Sequence, residues 1–147
     1  MFFDPNNPIV KLCAKGMEQE GLGEKEKAAN LFDEAWRLSM TDHEKLTAAH
    51  YVARHQATVE ARLSWDITAL NHALKIDTAD IHDALPSLYL NIGKCYEDMN
   101  DFENARLNYL AAKEHLDFLP SGGYGHMIRL GVESGLERIA ENPLLKK

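Results

Sequence analysis

Two stretches of this chain, 16–35 (GMEQEGLGEKEKAANLFDEA) and 93–112 (GKCYEDMNDFENARLNYLAA), follow one spacing. In the first, Gly16, Ala28, Phe32 and Ala35 give the pattern G-x11-A-x3-F-x2-A. In the second, Gly93, Ala105, Tyr109 and Ala112 repeat it, with Tyr in place of Phe. Glu26 and Glu103 match as well, each two residues before its Ala. Small residues at a helix crossing let two backbones approach closely, and a bulky side chain there would overpack by about 1–3 kcal/mol. A pattern that recurs this way marks a helical repeat.

Working outward, apolar residues recur at three- and four-residue spacing nearly everywhere. Ile9, Leu12, Cys13 and Met17 make one stripe, Leu46, Ala49, Val52 and Ala53 another, and Leu63, Ile67, Leu70 and Leu74 a third. Leu85, Leu88, Ile92 and Cys95 continue the series, and Met127, Leu130 and Leu136 end it. No apolar/polar alternation and no Asn-Gly or Asp-Gly turn signals a strand. Between the stripes lie Gly21-Leu22-Gly23, Thr41-Asp42, Asn100-Asp101 and the loop Pro120-Ser121-Gly122-Gly123-Tyr124-Gly125. Thr41-Asp42 is a helix N-cap signal, with Lys45 where a capping-box Glu would stand. Pro86 suits the first turn of a helix, and Pro143 suits the stop of the last one. The expectation is an all-α fold of about seven helices joined by short turns, each antiparallel to the next.

On these residues the chain resembles the tetratricopeptide repeat, a family of antiparallel helix pairs with small residues at the crossings and an aromatic wedge on the second helix. The resemblance implies a right-handed stack in a single domain spanning 1–147. It implies about three repeats, at 8–40, 42–77 and 86–118, closed by a capping helix at 125–141. The middle repeat is degenerate: Ala49, Val52 and Ala53 fit a first helix, but Trp65, Ala69, Leu70 and Ala73 lack the family's spacing in the second. Gly16 and Gly93 are 77 positions apart, whereas two units of about 34 residues would span about 68. The surplus is expected to lengthen the middle pair's second helix or the 77–85 connection. Gly131 and Gly135 are expected to pack closely on the preceding helix.

Composition excludes several functions. Apolar residues are 45% and charged residues 27% of the 147, ordinary for a globular domain. A net charge of −7 with no internal basic cluster argues against nucleic acid and against an anionic membrane surface. No apolar run is long enough to span a bilayer, and the start, Met1-Phe2-Phe3-Asp4-Pro5, lacks the basic and apolar regions of an export signal. Cys13 and Cys95 form no C-x-x-C motif and are expected to be buried free thiols in a reducing, cytoplasmic setting.

Seven histidines raise the question of a metal. His43 and His50 are seven apart and share a face, but no H-E-x-x-H and no Glu-x-x-His pattern occurs, so no metal and no other cofactor is expected. No phosphate loop, no G-x-S-x-G and no strand-borne G-x-G-x-x-G occurs, so a Rossmann-like methyltransferase or dehydrogenase site has no scaffold. Cys95 with His50 would make a nucleophile and base only if Cys95 left the apolar face it shares with Ile92 and Tyr96. No enzyme activity is expected.

What remains is a surface. The resemblance implies that first helices line a concave groove that binds a protein or peptide. That places Met17, with Cys13 and Glu20, in the groove from the first repeat. It places His50, Tyr51 and Arg54 there from the second, and Asn91 and Lys94, with Leu90 and Glu97, from the third. The family's grip on a C-terminal carboxylate uses Lys, Asn, Asn, Lys and Arg, where this chain has Cys13, Met17, Tyr51, Ser87 and Asn91, so no such clamp is expected. His50, Arg54 and Lys94 suit an acidic or phosphorylated segment, or are solvated and internally paired. Self-association as a homodimer, with Trp65 and Tyr124 at the interface, is the competing reading.

Overall fold

The computed structural model describes residues 4–142. Met1, Phe2 and Phe3, the proposed stop Pro143 and the Lys146–Lys147 tail therefore lie outside the described residues. Among the described residues there are seven α-helices and no strand: α1 Pro8–Gly21, α2 Lys25–Leu38, α3 Asp42–Ala53, α4 Val59–Ala73, α5 Leu85–Asp98, α6 Phe102–Glu114 and α7 Gly123–Ala140. Short 3-10 turns occupy Ala79–Asp83 and Leu116–Phe118. None of the described helices is long and apolar enough to cross a membrane.

The helix ends follow from local chemistry. Asn7 caps α1, its side-chain oxygen accepting from the Ile9 and Val10 N–H groups. Gly23, at φ +79°, makes the turn into α2, a conformation that costs glycine little. Thr41, not Asp42, is the cap of α3. The N3 residue is therefore Glu44 rather than Lys45, and a full capping box forms. The Thr41 oxygen accepts from the Glu44 N–H at 3.1 Å, and the Glu44 carboxylate accepts from the Thr41 N–H at 3.2 Å and the Met40 N–H at 2.9 Å. The same carboxylate accepts from the Asn7 side chain at 2.9 Å, which joins the caps of α1 and α3. These donors, Asn7 first, hold the Glu44 carboxyl below the usual range. Pro86 sits in the first turn of α5, and Asp101 caps α6. The surplus length lies after α4, in the segment carrying the 3-10 turn Ala79–Asp83.

The chain divides into two compact units, one running to Asp77 and one beginning at Thr78. In the first unit α1 pairs with α2 and α3 with α4, and α1 also meets α3. Its core joins Ile9, Cys13, Ala28, Phe32, Ala35, Ala48, Tyr51 and Val52. In the second unit α5 pairs with α6, and α7 lies against both. Tyr109, Ala105 and Ile139 make one part of its core, and Ala112, Leu116, Ile128 and Val132 another.

The repeated motif is the centre of each unit. Phe32 and Tyr109 have no exposed surface, and each ring lies against the glycine of the preceding helix. A Cβ on Gly93 would stand 2.8 Å from Tyr109 Cδ1, and a Cβ on Gly16 would overlap the Phe32 ring. Gly135 of α7 faces the Tyr109 ring too, while Gly131 faces Leu90 of α5 rather than the preceding helix.

Alanine in place of a helical glycine ordinarily gains up to about 1 kcal/mol of helix propensity. Gly93→Ala is expected to lose about 1–3 kcal/mol instead, because the Tyr109 ring must move, and Gly93→Leu to lose more. Gly21→Ala, where a Cβ meets nothing within 4 Å, is the control and should be neutral or stabilising. Thermal melts of the three variants check this; a Gly93→Ala melt no lower than that of Gly21→Ala would contradict the crossing geometry.

Candidate functional site

In the first unit one of the residues assigned to the groove, Tyr51, meets the buried Phe32 ring. Tyr51 is 7% exposed and stacks on Phe32 with centroids 5.2 Å apart, so its ring belongs to the core. His50 lies edge-on to Tyr51 at 5.1 Å. Its Nδ1 is buried with no hydrogen-bond partner, and burial, helped by the Arg54 charge, pushes its pKa down to about 4. His50 is thus a neutral imidazole near pH 7. Met17, on α1, is 42% exposed. Arg54 is half exposed; its guanidinium lies 5.8 Å from the Tyr51 ring centre and 3.3 Å from Glu20. Glu20 also meets His55 Nε2 at 2.7 Å, and the His55 ring stacks on Phe32 at 5.5 Å.

The second unit repeats the carboxylate. Glu97 accepts from the Tyr109 hydroxyl at 2.7 Å and from Arg138 of α7 at 2.8 and 3.0 Å. The Arg138 bonds come first in holding the Glu97 carboxyl below its usual range. Burial and the Glu97 bond push the Tyr109 phenol up, which keeps it protonated. Lys94 is half exposed and meets Asp98 at 3.0 Å and Glu97 at 4.0 Å. Asn91 is half-buried on the same helix. Both cations of the sequence reading, Arg54 and Lys94, therefore have internal carboxylate partners.

Sequence reasoning did not find the Glu20–Arg54 and Glu97–Arg138 pairs, although a signal existed. Glu20 and Glu97 stand four residues after Gly16 and Gly93, at the same 77-residue offset. It also missed a third pair: Asp42, at the start of α3, meets His72 Nδ1, near the end of α4, at 2.8 Å. That hydrogen bond is the first cause holding the Asp42 carboxyl below its usual range.

Cys13 and Cys95 are buried and in no disulfide, and burial pushes the Cys13 thiol up to about 12, so it is not a thiolate at neutral pH. Among the described residues no three His, Cys, Asp or Glu side chains come together as metal ligands. A hollow of about 190 Å³ lies beside Asn7, Val10, Glu44 and Thr47, and one of about 600 Å³ lies beside Leu110, Leu136 and Ile139.

Residues 86–114 match the family model of the tetratricopeptide repeat. The matched segment is α5, α6 and the turn between them, which contains the Gly93–Tyr109 contact. No curated protein and no solved structure matches the chain. The match supports the family resemblance read from Gly93, Ala105, Tyr109 and Ala112. The likeness of α1–α2 to that repeat rests on the chain's own recurrence.

His50 gives a pH prediction. Its unfolded pKa is near 6.5 and its folded pKa is about 4, so between these values the unfolded chain binds the extra proton. Stability is complete above pH 6.5 and is lost as the pH falls toward 4. Between pH 7 and pH 5 the loss from this group should be about 2 kcal/mol, at about 1.4 kcal/mol per pH unit. Urea midpoints of the wild type and His50→Gln at both pH values test it; equal acid sensitivity in the two would exclude His50 as the cause.

Proposed function

We propose that the chain is a non-catalytic protein-interaction module. The observation that carries this reading is the aromatic-on-glycine helix pair, present twice and matched at 86–114 to a family whose members typically bind other proteins. The partner is a peptide segment, and each unit by itself offers first-helix residues for one: Met17, His50 and Arg54 in the first unit, Asn91 and Lys94 in the second. Tyr51 supports Arg54 from below. An acidic segment would have to displace Glu20 from Arg54 and Asp98 from Lys94, so apolar contact at Met17 carries more of the fit than charge does. The setting is reducing and cytoplasmic, a reading supported by the buried thiols Cys13 and Cys95, which form no disulfide.

Met17 and Lys94 are the residues to change, because both stand in solvent and neither holds the core. Met17→Asp with Lys94→Glu is expected to keep wild-type helicity by circular dichroism. The same variant should weaken capture of a cytosolic partner about tenfold or more, which is about 1.4 kcal/mol. A partner held equally by both proteins would remove these faces from the binding surface.

Self-association is favoured by a separate observation. Tyr124, Met127 and Leu130, at three-residue spacing on α7, are 43%, 60% and 48% exposed. Light scattering over a range of concentrations tests this reading. A doubled mass in the wild type that Met127→Glu returns to the monomer supports a homodimer through α7, and a constant monomer mass excludes it.

A further inference from the structure

In the first unit α3 pairs with α4 and buries Leu46, Ala49 and Ala53. In the second unit α7 stands for α3, and among the described residues nothing stands for α4. Contacts fix this correspondence. Gly135 of α7 faces Tyr109 as Tyr51 of α3 meets Phe32, and Arg138 holds Glu97 as Arg54 holds Glu20. Both matches run at an offset of 84 residues. At that offset Leu130, Glu133 and Glu137 stand where α3 has Leu46, Ala49 and Ala53, and all three are exposed.

A hollow of about 600 Å³ lies beside them, lined by Glu103, Arg106 and Leu110 of α6 and by Leu136, Ile139 and Ala140 of α7. Its apolar floor is held in place, since Ile139 clusters with Tyr109 and Leu136 packs on that cluster. Helix geometry joins the hollow to the carboxylates. Glu133 precedes Leu136 by three residues and Glu137 precedes Ala140 by three, so each pair are neighbours on the surface of α7. Glu141 continues the row one turn after Glu137. Arg106 offsets Glu103 on α6, and Arg129, one turn before Glu133, offsets one member of the row. Carboxylates remain in excess. None of Glu133, Glu137 and Glu141 holds an ion pair among the described residues.

We propose that this hollow takes an amphipathic helix of a partner protein. The helix is apolar on the face that meets Leu110, Leu136 and Ile139, and basic on the flank that meets Glu133 and Glu137. The first unit argues for a helix, because α4 is what pairs with the matching face of α3. Charge decides which helix. Where α3 offers α4 two alanines, α7 offers two carboxylates, which stay hydrated at the rim and attract Lys or Arg. An acidic helix, or a second copy using the same face, would set carboxylates against carboxylates. No residue of this site belongs to the groove reading, so the two readings fail separately.

The probe is a fluorescein-labelled synthetic peptide of repeating Leu-Lys-Lys-Leu-Ala, titrated into the full chain and followed by anisotropy. One control peptide has Glu for every Lys, and another has Pro at its centre, which breaks the helix. The expected result is saturable binding of the basic helical peptide alone, weakened by salt. Glu133→Lys with Glu137→Lys, and separately Leu110→Ser, should each weaken it about tenfold with unchanged helicity. Glu18→Lys with Glu26→Lys makes the same charge change on exposed residues of the first unit and should alter binding no more than about twofold. An equal loss in that variant would mean attraction to the net charge of −7 rather than to the hollow, and overturns the proposal. Equal affinity for either control peptide, full affinity in both hollow variants, or no binding of the basic peptide overturns it too. Binding that appears only once residues 143–147 are removed replaces the partner helix with those residues. A doubled mass of the protein alone that Leu110→Ser abolishes replaces it with a second copy.

Discussion

The contact between an aromatic ring and a glycine one helix earlier is the constraint on which the rest depends. Phe32 on Gly16 and Tyr109 on Gly93 each fill the space that a Cβ would take. Neither ring is exposed, so the pairs α1–α2 and α5–α6 have only one close packing that leaves no void. The alanines at 28, 35, 105 and 112 follow from the same crossing, since each lies fully buried where the backbones approach. Once the ring is seated, its far side needs a cover. In the first unit Tyr51 of α3, and His55 just beyond its end, stack on Phe32. In the second, Tyr109 carries a hydroxyl that reaches Glu97, and α7 offers Gly135 to the ring. A larger ring assembly is thus met by a smaller neighbour.

The carboxylate four residues after each glycine extends this logic to the next helix. Glu20 takes Arg54 from α3, and Glu97 takes Arg138 from α7. Arg54 and Arg138 are 84 positions apart, as are Tyr51 and Gly135. Within its own unit, α7 therefore occupies the place that α3 holds in the other. Among the described residues no counterpart of α4 follows α7, and the exposed Glu133 and Glu137 stand where α3 has the buried Ala49 and Ala53. Those charges keep that side of α7 in water.

Much of this was legible in the sequence for a physical reason. Helix periodicity, prolines in first turns and the recurring glycine–aromatic spacing are local signals, and they gave seven helices and the two matching pairs. The cap of α3 was misread by one residue, because Thr41 and Asp42 are both good caps. Only the reach of Glu44 to Asn7 and to the Met40 and Thr41 N–H groups decides between them. The ion pairs of Arg54 and Arg138 join residues on different helices. No local pattern announces them; only the offset between Glu20 and Glu97 does. Tyr51 was read as a groove residue because the resemblance assigns positions by helix face, but the face of α3 that carries it packs on Phe32.

The same pairing logic bears on where this chain meets a partner. A cation held by a buried or half-buried carboxylate has given up part of its attraction for an outside anion, because a partner must first displace the internal one. Glu20 is 18% and Glu97 13% exposed at the side chain, so Arg54 and Arg138 are held from the protein side. Their first effect is to fix α3 on α1 and α7 on α5, and so to set the shape of the surface between first helices. Shape and apolar contact, through residues such as Met17, then select the occupant of that surface more than charge does.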